Sequence, residues 1–249
     1  MLIVNPRLLC LLAVLLSSQV VSAGEEFLAA IRASDADRVI QLSESETDVN
    51  QVTTRGRTAL MVVARAGRCD AVNAVLQRGA DPAVVNENGG NALMFAVVSG
   101  DNRCVKPLLG VGIDINARGS NGWGALMIAA AKGHVDTARL LIDSGADINA
   151  RDVYVWTPLH RAAYHGHSGM VELLLEMAGI ELDARDDHGA TALHHAAARG
   201  HAAVAVSLLR KGADLGVEDL EGRTPVAYAA EQGHEALVQV LGDVSREIN

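Results

Sequence analysis

The chain has 249 residues, a formal net charge of −9 at pH 7, and 49% hydrophobic but only 3% aromatic residues. An acidic chain without blocks of Lys and Arg is not expected to bind nucleic acid, because that affinity comes from clustered cations that neutralise phosphates. With so few aromatic side chains, a core must be built mainly from Ala, Val and Leu, which favours thin, closely stacked layers over one thick globular interior.

The first 23 residues have the pattern of an export signal. One cation, Arg7, precedes an apolar run at 8–16, and small residues at 21–23 fit a signal peptidase site. The run has nine residues, whereas a transmembrane helix needs roughly 20. The pattern predicts cleavage between Ala23 and Gly24, and therefore an exported protein without a stable membrane anchor. The alternatives are an uncleaved anchor or a buried N-terminal helix.

A repeat of 33 or 34 residues dominates the rest of the chain. It is marked by six evenly spaced glycines: Gly67, Gly100, Gly133, Gly166, Gly200 and Gly233. Nine residues before each glycine lies a matching start, of which Thr157-Pro-Leu-His160 is typical. Such self-similarity over six periods indicates a repeat architecture and not an accident of composition.

Each period predicts a pair of helices. In the fourth, the hydroxyl of Thr157 can cap the first helix, and Pro158 suits its first turn, where a missing N–H costs nothing. Gly166 is expected to end that helix, since positive φ is favoured there. A second helix follows, with apolar residues on one face. Neither helix can bury its apolar stripe alone, so adjacent repeats must stack to form the core.

At four places the motifs resemble those of the ankyrin repeat family. These are Thr157-Pro-Leu-His160, Gly133-His134, Gly145-Ala-Asp-Ile-Asn149 and Asp219-x-x-Gly222-x-Thr224-Pro225. The resemblance implies an all-α ankyrin-repeat solenoid of stacked helix-turn-helix units joined by β-turn or loop fingers. Together with the export pattern of the first 23 residues, it divides the chain into a signal peptide at 1–23, a degenerate N-terminal capping unit at 24–51, six repeats over 52–241 and a C-terminal tail at 242–249. The repeats are expected at about 52–85, 86–118, 119–151, 152–185, 186–218 and 219–241.

Two residues depart from the repeat pattern. Pro107 falls in the second helix of the second repeat, where it removes a backbone hydrogen bond, so a kinked or shortened helix is predicted there. Val155 occupies the place that glycine takes at 122, 189 and 222. A β-branched residue tolerates positive φ poorly, so this turn must take another shape or carry strain.

The family resemblance implies a function in binding a protein partner and not in catalysis. Ankyrin domains usually hold their partner in the groove formed by the loop fingers and the first helices. The matching exposed helix positions are Arg65, Val98, Ser99, Lys132, Tyr164, His165, Arg199, Glu231 and Gln232. Both tryptophans and two of the three tyrosines fall on the finger and helix positions of repeats three and four. Exposed Trp and Tyr often dominate interface energies.

The predicted partner-binding residues are centred on repeats three and four. They are Asn121, Trp123, Lys132, Tyr154, Trp156, Tyr164, His165 and His188. An alternative is that Trp123 and Trp156 pack on each other and on the turn, closing the gap left by Val155.

All nine histidines lie between His134 and His234, which raises the possibility of a metal site. Six of them occupy positions that the repeat itself supplies, where hydrogen bonding between adjacent loops is the role that the resemblance implies: His134, His160, His167, His194, His201 and His234. Only His165, His188 and His195 are additional, and no cysteine or acidic cluster accompanies them at ligand spacing. The sequence therefore predicts no metal, no cofactor and no enzymatic activity, because a nucleophile elbow and a phosphate loop are also absent from it.

Two cysteines, Cys69 and Cys104, follow the predicted signal segment. Equivalent positions in stacked helices are about 10 Å apart, whereas a disulfide needs Cα atoms within roughly 7 Å. Free thiols are therefore expected. The sequence as a whole predicts a monomeric, non-enzymatic binding scaffold, located in a bacterial periplasm or else secreted. An inhibitor or immunity-type accessory of a periplasmic enzyme or toxin, and a histidine-based metal-handling protein, are the alternatives.

Overall fold

The structure, a computed structural model, describes residues 23–45 and 47–248. These residues form helices and turns and contain no strand, so the predicted all-α class is confirmed. None of the helices within the described ranges has the length and hydropathy needed to cross a membrane. The predicted signal segment lies outside the described residues except for Ala23, which together with Gly24 is part of the first described helix.

The described helices come in consecutive pairs. Their bounds are α1 (23–33) and α2 (Ala36–Ser43); α3 (Ala59–Arg65) and α4 (Cys69–Gln77); α5 (Ala92–Ser99) and α6 (Asn102–Gly110); α7 (Ala125–Lys132) and α8 (Val135–Asp143); α9 (Pro158–His165) and α10 (Ser168–Glu176); α11 (Ala192–Ala198) and α12 (Ala202–Arg210); and α13 (Pro225–Glu231) and α14 (Glu235–Ile248). Each pair from α3 onwards corresponds to one period of the sequence repeat, with a short first helix and a second helix of at least nine residues.

The helix ends follow the chemistry of the repeat. The Thr157 hydroxyl accepts a hydrogen bond from the backbone of His160 in a capping box, and Pro158 occupies the first turn. Gly166 ends α9 with φ 74°, and a Cβ added there would lie 2.7 Å from the His201 ring. Glycine is therefore required at this position both for its backbone angle and for the close approach of the next repeat.

The chain forms two compact units. Of the described residues, the first unit contains those up to Glu87 and Asn91–Ile113, and the second contains Asn88–Gly90 and those from Asp114 onwards. Within each unit the first helices pack side by side in one layer and the second helices in another, as α9 does with α7 and α11, and α12 with α10 and α14. The core between the layers consists mainly of Ala, Val and Leu, as the composition predicts.

Histidines join neighbouring repeats of the second unit. The Nε2 atom of His167 lies 3.1 Å from the carbonyl oxygen of Ala131, and that of His201 lies 3.1 Å from the carbonyl oxygen of Tyr164. The same kind of link is made by His160, His194 and His234. The predicted hydrogen-bonding role of these five histidines is confirmed.

The fingers are joined to one another by a regular series of backbone hydrogen bonds. In each link, the second residue of a finger donates its N–H to the carbonyl of the third residue in the preceding finger. Within the second unit the donors and acceptors are Ser120 to Asn88, Val153 to Asn121, Asp187 to Tyr154, and Leu220 to His188. These bonds hold the fingers at a fixed spacing, so residues at one finger position form a row.

Pro107 does not shorten its helix. Helix α6 has nine residues, the same length as α4, α8, α10 and α12, so the predicted shortening is wrong. A proline here removes only one helical hydrogen bond. The flanking residues Cys104, Val105 and Leu108 are fully buried and keep the helix packed in the first unit.

The prediction of free thiols is also wrong, because Cys69 and Cys104 form a disulfide with Cα atoms 4.4 Å apart. The spacing of about 10 Å used for that prediction separates the axes of stacked helices and not the surfaces that face each other. Cys69 begins α4 and Cys104 is the third residue of α6, so both lie where these neighbouring helices meet. Both side chains are buried, and the bond ties the first two repeats together.

Candidate functional site

The two tryptophans are joined by an arginine that the sequence did not single out. The guanidinium carbon of Arg161 lies 4.6 Å from the centre of the Trp123 ring and 4.2 Å from the centre of the Trp156 ring. Trp156 also stacks against His195 at 4.1 Å between ring centres and meets Tyr164 edge-on at 5.4 Å. We call Trp123, Trp156, Arg161, Tyr164 and His195 the arginine–aromatic cluster.

Asp152, the first residue of the fourth finger, anchors this cluster. Its fully buried carboxylate is paired with Arg161, nine residues later. The other carboxylate oxygen accepts the backbone N–H groups of Tyr154 and Trp156, 2.9 and 3.0 Å away. One acidic side chain therefore fixes the finger backbone and the first helix of the same repeat, as expected of a buried charge that is fully paired.

The next two repeats use the same arrangement with a different partner nine residues after the aspartate. Asp186 lies 2.8 Å from Nε2 of His195, and Asp219 accepts a 2.8 Å hydrogen bond from the hydroxyl of Tyr228. Burial raises the pKa of Asp186, but hydrogen bonds from His195 and the finger backbone outweigh it and hold this pKa below its usual value. The pKa of Asp219 also lies well below its usual value, because the hydrogen bonds that it accepts lower the pKa by more than burial raises it.

Val155 retains the backbone conformation of the glycines that it replaces. Its φ is 63°, and its N–H is bonded to the carbonyl of Asp152 at 3.0 Å, as Gly189 is bonded to Asp186 in the next finger. The sequence predicts either a different turn or a strained one. The turn is unchanged and therefore strained, since a β-branched residue with positive φ is an outlier. The aspartate and the cluster keep the finger in this shape.

The predicted partner-binding residues fall into two groups. Trp123, Trp156 and Tyr164 belong to the cluster and are only partly exposed. The remaining residues are exposed, and they are Asn121, Lys132, Tyr154, His165 and His188. The alternative in which the two tryptophans pack on each other holds only in part, since the contact between them runs through Arg161.

The tip of the fourth finger is the most exposed apolar part of the predicted site. Tyr154 is 58% exposed and Val153 56% exposed, while the backbone of both is bonded to the neighbouring fingers. Asn121 and His188 lie at the tips of those two fingers, so the structure places them on either side of Tyr154. An aromatic side chain on a fixed backbone loses little entropy when it binds, which suits it to an interface.

Basic side chains lie at the ends of the first helices. Lys132 ends α7, His165 ends α9, and Arg199 is the C-terminal cap of α11. The Arg199 guanidinium lies 4.8 Å from the centre of the Tyr164 ring, and the His165 ring meets the same tyrosine edge-on at 5.2 Å. Burial lowers the pKa of His165, and the charges of the neighbouring His167 and Arg161 lower it further.

Sequence reasoning missed Asp152 and Arg161, which decide how far the tryptophans are exposed. The signal that could have found them is an acid at the first finger position and a polar residue nine positions later, which recurs in repeats four to six as Asp152 and Arg161, Asp186 and His195, and Asp219 and Tyr228.

Within the described residues, Asp186, Asp187 and His188 have ligand atoms within 4.8 Å of one another, close enough together for a metal ion. The expectation that no acidic cluster accompanies His188 is therefore wrong. Asp186 already accepts hydrogen bonds from His195 and from the N–H groups of His188 and Ala190. A metal ion would therefore have to displace bonds that hold the fifth finger. The arrangement of these three side chains therefore does not favour metal binding.

A model of ankyrin repeats matches the chain in three copies, at residues 27–119, 93–186 and 177–249. These stretches together cover most of the chain, including all the described helix pairs from α3 onwards. No curated protein matches the sequence.

Proposed function

Because the chain belongs to the ankyrin repeat family, whose members are typically non-enzymatic scaffolds for protein–protein interaction, we propose that it binds one specific protein through the second unit, at the fingers and first helices of repeats three to five. The centre of the docking surface is the tip of the fourth finger, Val153 and Tyr154. The function proposed for the chain is recognition, with no chemistry performed on the partner.

The observation that carries this proposal is the contrast between Tyr154 and Trp156. Trp156 is held by Arg161, Tyr164 and His195, so its ring stabilises the finger. Tyr154, two residues earlier, is largely exposed on a backbone that hydrogen bonds fix on both sides. Rigid, exposed aromatic residues surrounded by polar side chains are typical of interface hot spots.

We also propose that the protein works as a monomer in an oxidising compartment, the periplasm of a bacterium, with secretion as the alternative. The disulfide between Cys69 and Cys104 supports this location, since such bonds persist in exported proteins and are rare in reducing compartments. The export pattern of the first 23 residues points in the same direction.

The proposal is tested by crosslinking capture from the native exported fraction, with prey identified by mass spectrometry. Tagged parent protein is compared with a Val153→Ser, Tyr154→Ala double variant and with a Val111→Ser control, whose exposed valine lies at the end of the second helix α6. One prey protein should be captured by the parent and the control and lost from the double variant. Equal capture by all three proteins would contradict docking at the fourth finger.

A further inference from the structure

We infer that the partner is recognised through an extended acidic segment, whose carboxylates bind to Lys132 and Arg199 while its apolar side chains contact Tyr154. This inference rests on the proposed function and specifies the chemistry of the partner.

Lys132, His165 and Arg199 form a row with one residue in each of three consecutive repeats. Each directly precedes the glycine with positive φ that ends its first helix, so the three occupy equivalent positions. The Tyr164 ring touches both His165 and Arg199, which makes the row continuous with the arginine–aromatic cluster. We call these three residues the basic row.

The charge of the basic row is not neutralised by the protein itself. Elsewhere on the fingers and first helices of the second unit, Arg161 and Arg223 are paired with the buried carboxylates of Asp152 and Asp219. Lys132 and Arg199 have no carboxylate partner within the described parts of the chain. These two unpaired cations are complementary to the carboxylates of an acidic ligand. Because the chain as a whole has a net charge of −9, that attraction is confined to the two cations.

Three acids of the fifth and sixth repeats are already engaged by other side chains. Glu221 and Glu231 lie 3.2 and 3.8 Å from the Arg223 guanidinium, and Asp187 is bonded to His188. They do not compensate the basic row. The Tyr164 ring also restrains the Arg199 guanidinium, which reduces the entropy lost when a carboxylate binds to it.

The geometry of the repeat sets the length of the ligand. Stacked helices are about 8–10 Å apart, so Lys132 and Arg199, two repeats apart, are separated by about 16–20 Å. An extended chain advances about 3.3 Å per residue and covers that distance in about five to six residues. The ligand should therefore carry carboxylates about five to six positions apart.

Two isolated cations are too few to act as a surface for nucleic acid or anionic lipid, both of which need clusters of basic residues. A second interpretation is purely structural, because a cation at the C-terminus of a helix stabilises that helix through its interaction with the helix dipole. The experiment below separates these readings from the proposal.

The test is selection of a random dodecapeptide phage library on the full-length protein, followed by titration of the enriched peptides by fluorescence anisotropy at 50 and 300 mM NaCl. The enriched peptides should carry Asp or Glu about five to six residues apart. A Lys132→Ala, Arg199→Ala variant should bind them roughly tenfold more weakly, and the difference should shrink at high salt. The matched control is Lys106→Ala, Arg210→Ala, which removes two exposed cations from second helices and should leave binding unchanged.

Three outcomes overturn the inference: enriched peptides without an acidic bias, acidic peptides that bind the Lys132→Ala, Arg199→Ala variant as tightly as the parent, and no enrichment at all. If non-acidic peptides are enriched and their binding is lost in a Tyr154→Ala variant, the inference fails while the proposed function stands. A variant that melts below the parent and still binds normally assigns the row to helix stability. The conservative Arg199→Lys variant should retain binding, because it retains the charge.

Discussion

The guanidinium carbon of Arg161 lies 4.2 Å from the centre of the Trp156 ring, and the same guanidinium is paired with the buried carboxylate of Asp152. The tryptophan therefore covers a charge that would otherwise face water. A residue type that is commonly found in interfaces serves here to shield an internal ion pair, which changes the role expected of each aromatic residue of the fourth finger.

Replacing Trp156 by Ala should lower the free energy of unfolding by about 2 kcal/mol, because it exposes Arg161 and removes the stack on His195. Tyr154→Ala, two residues away and exposed, should change it by less than about 0.5 kcal/mol. Urea denaturation of the two variants and the parent measures both values. Equal stability of Trp156→Ala and the parent would show that the ring does not support the finger.

The disulfide predicts a stability that depends on the redox state. It closes a loop of 35 residues, and the loop-entropy relation gives about 3–4 kcal/mol for a loop of that length. A Cys69→Ser, Cys104→Ser variant should therefore unfold at a lower urea concentration than the parent in the absence of reductant. Dithiothreitol should lower the midpoint of the parent and leave that of the variant unchanged. Free thiols at Cys69 and Cys104 in the unfolded, unreduced parent would show that the bond does not form.

The fold could be predicted further than the site because the two depend on different residues. Thr157, Pro158 and Gly166 specify the ends of α9 through local chemistry, and the structure has the helix where they place it. The exposure of Trp156 depends instead on Arg161 and His195, which come from two different repeats. The repeat motifs do not specify these two positions, so they locate the finger without giving the environment of its side chains.

The disulfide is a second feature that the repeat pattern alone could not predict. The period of the sequence places Cys69 and Cys104 in neighbouring repeats, but at positions that differ by two residues relative to their glycines. Whether that offset brings the two Cα atoms to 4.4 Å depends on how α4 and α6 face each other, which the period does not specify. A three-dimensional template of the repeat, unlike an average spacing, would have found the contact.

Val155→Gly should stabilise the protein by about 1 kcal/mol. Relief of the positive φ of a β-branched residue, worth about 1–3 kcal/mol, exceeds the entropy of about 0.4–1 kcal/mol that glycine loses on folding. Val153→Gly in the same finger is the matched control, since Val153 is exposed and is not among the residues with positive φ, and it should not stabilise. Thermal unfolding of both variants and the parent measures these changes in stability. A Val155→Gly protein that melts below the parent would show that the backbone at Val155 is not strained.

Because His160 is buried, the free energy of unfolding should fall in mild acid. Burial, reinforced by the nearby His195, lowers the pKa of His160 to about 4, whereas an unfolded histidine has its ordinary value of 6.5. The unfolded state then takes up a proton that the folded state does not, so stability falls as the pH drops from about 6.5 to about 4, by about 3 kcal/mol in total.

Denaturation at several pH values measures this contribution of His160. A His160→Gln variant, which can keep the capping-box bond, should lose less stability over the same range than the parent. His188→Gln, at an exposed finger tip, should follow the parent. Parallel curves for the parent and His160→Gln would contradict the assignment.

Asp183 occupies a place that asparagine takes at 50, 116 and 149. The side-chain amide of Asn149 donates to the carbonyl of Gly179 at 2.8 Å, and its oxygen accepts from the backbone of Glu181 at 3.0 Å. Asp183 can accept from the backbone N–H of Asp214, but its carboxylate has no proton to donate to the next loop. Burial raises the pKa of Asp183, the hydrogen bond from the Asp214 backbone partly offsets this, and the charge of Asp214 raises the pKa further.

Asp183→Asn should therefore stabilise the protein by about 1 kcal/mol at pH 7, the usual net value of one hydrogen bond. The raised folded-state pKa sets the sign of the pH dependence: the ionised carboxylate weakens the fold above that pKa, and the penalty disappears as the pH falls below the ordinary value of 3.8. The advantage of the variant should shrink accordingly in acid. The reciprocal change, Asn149→Asp, should cost a similar amount at pH 7, because it removes the donor to Gly179. Urea midpoints at pH 7 and pH 4 measure both effects, and an Asp183→Asn variant no more stable than the parent at pH 7 would mean that the fifth loop satisfies its carbonyl by another route.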